Sequence, residues 1–213
     1  MNPATATAST AKGASTRGML LDRACAMAAR VGLEGLTIGE LASADGMSKS
    51  GVFAHFGSRE DLVRQTLDWA AGQFIAEVMT PALRLPRGMP RLRAIGNAWL
   101  AWISEHPDGC VFLGAAMEYD GRPGPMRDHV ATMLESWRAA LERAVALAVE
   151  EGHLRAGTDP ALVAFQFQAL MQGDHHARMH HPQSARALTE RAIADLFARY
   201  QADASAPAAS PRP

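Results

Sequence analysis

Apolar side chains recur every three or four residues along nearly the whole chain, and no segment shows the strict apolar-polar alternation of a strand. Gly and Pro fall between the periodic blocks, so the pattern predicts an all-α fold of about nine helices. With 213 residues, 48% of them hydrophobic, the chain can bury a substantial core as one large or two small domains. No run approaches the roughly 18 apolar residues of a membrane helix. Met1 to Thr16 is rich in Ala, Ser and Thr and lacks the apolar centre of a secretory leader. A cytoplasmic protein is therefore expected, with Cys25 and Cys110 as reduced thiols, because two cysteines make neither a metal-ligand pattern nor a disulfide framework.

Local signals place the first elements closely. A helix from about Thr16 to Val31 sets Leu21, Ala24, Cys25 and Ala28 on one stripe, and Gly32 suits a left-handed ending. Thr37 and Glu40 have the spacing of a capping box opening a second helix, on which Ile38, Leu41 and Ala42 face inward. Asp45-Gly46-Met47 reads as a tight turn, and Ser48 caps a short helix from Lys49 to about Phe56. Ser58, followed by Glu60 and Asp61, opens a long helix running to about Thr80, before Pro81. Further helices are expected at about Pro90 to His106, Cys110 to Tyr119, Pro125 to Glu151, Pro160 to His180 and Ser184 to Tyr200. Residues 1–15 and 201–213 read as a disordered arm and tail.

A short capped helix, a glycine turn and a second short helix form the arrangement that lays the second helix in a DNA major groove. The segment Leu36 to Leu62, LTIGELASADGMSKSGVFAHFGSREDL, closely resembles the DNA-binding signature of the TetR family of regulators, and Gly32-Leu33-Glu34-Gly35 before it fits the same pattern. The resemblance covers residues 17 to 65, and a weaker match in helix layout extends to about residue 200. It implies a three-helix DNA-binding domain over residues 16–63 and a helical ligand-binding and dimerisation domain over 64–200. It further implies a homodimer on a roughly palindromic operator, and a small-molecule effector that releases it. Repression is the family's commonest mode, and activation by the same fold stays open.

On this resemblance Ser48, Lys49, Ser50, Gly51, Phe53 and His55 face DNA, while Val52 and Phe56 point into the small core. Thr37 sits where the family turns a helix N-terminus to phosphate, and Arg59 stands at its usual phosphate-clamping position. Phe53 departs from the family's tyrosine and lacks the hydroxyl that meets a phosphate there. Lys49 is the only long donor on the recognition helix, which leaves shape and phosphate contacts a large share of the affinity. Charge gives little help: residues 1–64 hold seven basic and six acidic side chains, in a chain of net charge −1. Lys12 and Arg17 read equally as a groove-seeking arm or as solvated side chains.

In the second domain, Trp69, Trp99, Trp102, Phe112, Met117, Tyr119, Trp137 and Phe165 are candidates to line an effector cavity, with Glu118 as a polar anchor. Such a set suits an apolar or aromatic effector. Cys110 reads as a small core residue, or else as a thiol activated at a helix start. His176 and His180 have the i, i+4 spacing of a metal pair, and His175 and Met179 repeat it; capping the helix end or bonding across a dimer are the other uses of these histidines and of His181. No cofactor is expected. The chain shows no nucleophile with its base and no phosphate loop, which argues against an enzyme. The rival to a regulator is a helical homodimeric interaction protein that does not bind DNA.

Overall fold

Thr37 and Ser48 stop the backbone in extended conformation and hand it to two short helices. A computed structural model describes the backbone of residues 3–202 and the side chains of residues 15–202. Its elements are α1 (Pro3–Val31), α2 (Ile38–Ala44), α3 (Lys49–Phe56), α4 (Arg59–Phe74), a π-helical turn (Ile75–Met79), α5 (Thr80–Leu83), α6 (Met89–Glu105), α7 (Val111–Tyr119), α8 (Pro125–Glu150), α9 (Pro160–His180) and α10 (Ala185–Tyr200). With α4, the π turn and α5 counted as one helical run, the described residues form nine helices and no strand, as the periodicity predicts.

Two boundaries differ from expectation. Helix α1 begins at Pro3 rather than near Thr16, so the backbone expected as an arm is helical; alanine, the strongest helix former, recurs through that stretch. The run that begins at Arg59 continues past Pro81 to Leu83. Proline cannot donate and clashes with the carbonyl four residues back in a regular α-helix, and the wider turn over Ile75–Met79 takes up that conflict. The expected tail lies, from residue 203 on, outside the described residues, as does the side chain of Lys12.

The chain divides into two compact units that are not contiguous in sequence. The first holds the residues up to Gln73 together with His106–Val130, and the second holds Phe74–Glu105 together with the residues from Ala131 on. In the first, Leu20, Ala24 and Ala28 of α1, Leu41 of α2, Val52 and Phe56 of α3, and Leu62, Val63 and Leu67 of α4 are buried together. Each fully buried Leu or Phe contributes roughly 1.5–3 kcal/mol.

In the second unit α6 buries one broad face through Leu92, Ile95, Trp99, Leu100, Trp102 and Ile103. Gly96 lets α9 come close, because a Cβ there would lie 3.0 Å from Cζ of Phe167. Helix α9 also packs along α10, where the Phe167 and Phe197 rings are 5.1 Å apart. The fully buried Asp174 carboxylate pairs with the Arg178 guanidinium at 2.6 Å, and Arg178 also donates to Ser104. The opposite side of α9 leaves Leu162, Phe165 and Met179 exposed, a face without a partner among the described residues. Among the described residues no helix is long and apolar enough to cross a membrane.

Candidate nucleic-acid interface and effector region

The short helix α3 is held by its ends and by two core side chains, which fixes what it presents outward. Ser48 Oγ accepts from the Gly51 amide at 3.1 Å and contacts Ser50 Oγ at 3.1 Å. Val52 and Phe56 are buried, Ser48, Lys49, Ser50 and Phe53 are exposed, and Gly51 and His55 are partly so. Eight helical residues span only about 12 Å, short enough to lie across one groove. The preceding turn contains Gly46 at φ 62°, and Met47 N–H donates to Ala42 O at 2.9 Å. The Arg23 guanidinium pairs with Asp45 at 3.1 Å on the same turn.

Thr37 caps α2 by accepting the Glu40 amide at 3.1 Å, and its hydroxyl donates to the Glu40 carboxylate at 2.8 Å. The return contact of the capping box thus goes to the hydroxyl. Lys49 lies along α2, where a Cβ on Gly39 would come within 3.0 Å of its Cε. Arg17 donates to Gln65, an intramolecular use of one of the two candidate arm residues.

Arg59 is a structural clamp in this conformation. Its Nε donates to Leu36 O at 3.0 Å and its Nη2 to Glu34 O at 2.5 Å, with Glu34 Oε2 at 3.3 Å. The same turn receives α7. The Glu118 carboxylate accepts from the Leu33 amide at 2.8 Å and the Glu34 amide at 3.4 Å, and Tyr119 donates to Glu34 Oε1 at 2.5 Å. The Tyr119 hydroxyl and, secondarily, the Arg59 guanidinium hold the Glu34 carboxyl below its ordinary value. Burial, with Glu34 second, pushes the Tyr119 hydroxyl above its own. Two glycines permit this docking. A Cβ on Gly32, at φ 77°, would fall 2.0 Å from Glu118 Oε1, and one on Gly109 would fall 2.6 Å from Ala29 O.

The residues nominated for an effector cavity therefore part company. Trp69, Phe112, Met117, Glu118 and Tyr119 belong to the first unit, and Trp99, Trp102, Trp137 and Phe165 to the second. Trp69 donates to Asp22 at 2.7 Å, Glu118 and Tyr119 spend their polar groups on the 33–34 turn, and Met117 and Phe165 are about two-thirds exposed. Trp99, Trp102 and Trp137 do come together, around Phe74. Periodicity did not single out a groove of about 770 Å³ in the second unit, among whose lining residues are Arg93, Asn97, His153, Phe167, Glu190 and Phe197. Its walls come from α6, α9, α10 and the loop before α9, a convergence that no local spacing announces.

Cys110 precedes α7 as its cap residue but is buried, and burial raises its thiol pKa, the opposite of activation. Cys25 is likewise pushed up, to about 12, chiefly by burial. His176 and His180 are exposed on α9, and no group of three metal-ligating side chains occurs among the described residues.

A capped helix-turn-helix joined to a larger helical unit defines the class of helix-turn-helix transcription regulators. Within that class, residues 20–66 match the model of the bacterial regulatory proteins of the tetR family, and residues 88–194 match that of the tetracyclin repressor-like C-terminal domain. The chain belongs to the TetR family. No curated protein sequence matches it. Among solved structures it is similar to a TetR-family transcriptional regulator from Cytophaga hutchinsonii, with TM-score 0.76, 17% identity, and coverage of 90% of this chain and 98% of that one. It is also similar to AibR, solved with isovaleryl coenzyme A and operator DNA, with TM-score 0.68, 20% identity and coverage of 85% and 98%. A third relative in fold is a regulator from Saccharomonospora viridis solved with choline, with TM-score 0.71, 18% identity and coverage of 89% and 100%.

Proposed function

We propose that the protein is a homodimeric repressor that holds a roughly palindromic operator through α3 of each copy and is released by a small-molecule effector. The observation that carries the reading is the division of α3 itself. Val52 and Phe56 anchor it in the core while Ser48, Lys49, Ser50, Phe53 and His55 are left outward on a helix short enough for a major groove. AibR, similar in fold, was solved with both operator DNA and an acyl coenzyme A, which supports pairing the two ligands in one mechanism. The unpartnered apolar face of α9, with Leu162, Phe165 and Met179, supports the dimer. The groove of the second unit offers space for an effector, and the aromatic cluster offers an apolar surface suited to one. Release follows when the effector prefers the conformation that does not fit the operator.

Fluorescence anisotropy on the DNA just upstream of the coding region, against a scrambled duplex and at two salt concentrations, tests this. Selective binding that weakens with salt is the expected result, because phosphate contacts release counterions. A Lys49→Ala, His55→Ala double variant that stays dimeric and binds as tightly as the parent would show that α3 is not the reading surface. Equal, weak binding of every duplex, in a selection from random sequence as well, favours the interaction-protein alternative.

A further inference from the structure

The aromatic cluster of the second unit contains two donors that find no acceptor among the described residues. Trp99 and Trp137 stack with centroids 5.2 Å apart and planes 26° from parallel. Phe74 meets them near perpendicular, at 5.4 Å and 5.2 Å, and Trp102 at 5.7 Å. Trp99 is 5% exposed and Trp137 is half-buried, and Nε1 of each is shielded from solvent without a hydrogen-bond partner among the described residues. A buried N–H without an acceptor costs about 1–3 kcal/mol, and folded proteins leave few of them. Phenylalanine would fill most of the same space without that cost, so packing alone does not account for two indoles. The cluster also adjoins the π turn that begins at Ile75, and interruptions of this kind recur at functional sites.

We propose that these two indole N–H groups are the polar anchor of the effector site, and that the effector is a planar aromatic molecule bearing a carbonyl or equivalent oxygen acceptor. The proposal rests on the effector reading above and narrows it. Donors whose rings lie 5.2 Å apart are within reach of one planar ligand. A cation is the wrong occupant. It would meet the positive ends of two indole N–H groups, which favour an oxygen acceptor. Trp137 is the more exposed ring of the stack, so the ligand approaches from its side.

The test is a matched pair of probes, fluorenone and fluorene, which share a carbon frame and differ in one carbonyl. Equilibrium dialysis of the full-length protein is expected to show fluorenone bound about tenfold more tightly than fluorene. Trp99→Phe and Trp137→Phe should each abolish the preference, so that the variant binds fluorenone and fluorene alike. Trp102→Phe, the same truncation in the same cluster, should keep the preference, which separates loss of an N–H from general loosening. Equal affinity of the two probes in the parent, a preference that survives both substitutions, or no binding of either probe overturns the proposal. The effector reading stands or falls separately, on whether any member of a chemically diverse compound set releases operator DNA.

Discussion

Glu118 caps a turn that lies 85 residues away from it in sequence, and it does so with one oxygen for each of two consecutive amides. Without that carboxylate the Leu33 and Glu34 amides lose their acceptor. Glu118→Ala is therefore expected to lower stability by about 1–3 kcal/mol in a denaturant titration, with Glu118→Gln between variant and parent. Glu34 makes the same junction sensitive to pH. Its carboxyl is lowered in the folded protein by Tyr119 and Arg59, so it contributes stability above its unfolded value of 4.5, and that contribution fades as pH falls through the lowered folded value. Melting curves of the parent and Glu34→Gln should differ at neutral pH and converge in acid. The caps at Thr37 and Ser48 were legible in the sequence because a side chain reaches an amide three residues on, a contact that spacing encodes. The Glu118 contact was not, since nothing near Glu118 marks its acceptor role, and a carboxylate among aromatics reads as a ligand anchor.

Helix α9 shows the same limit at the scale of an element. Its periodicity and Pro160 make its start legible, and the structure caps it there with Asp159, which accepts from Ala161 N–H at 2.9 Å. Its two apolar faces could not be told apart by spacing, yet one buries Val163, Phe167 and Met171 while the other exposes Leu162 and Phe165. Phe165 was nominated for the effector cavity because an aromatic residue on an apolar stripe looks the same whether it faces a cavity or a second copy of the chain. A charge on the exposed face should prevent association without disturbing the buried one. Phe165→Glu is expected to sediment as a monomer with unchanged helical circular dichroism, and to bind operator far more weakly than the parent because the half-sites are no longer engaged together. A Phe165→Glu protein that remains dimeric would remove α9 from the interface.

At the scale of the molecule, the chain passes between its two compact units three times, after Gln73, Glu105 and Val130. Sequence reasoning divided it once, near residue 63, because the motif ends there; the return of α7 to the first unit is a property of tertiary packing and leaves no periodic trace. A fragment ending at Gln73 keeps α1 to α4 and lacks Glu118, Tyr119 and the close approach of Gly109 to Ala29. It is expected to melt well below the full chain by circular dichroism, and equal melting of the two would show that α7 is dispensable. For anyone building hybrid sensors, the compact unit that holds the helix-turn-helix is not one stretch of gene. A swap made at the end of the signature would marry a new head to a foreign α7, and the graft would be sound only if the incoming turn accepted the resident Glu118 and Tyr119.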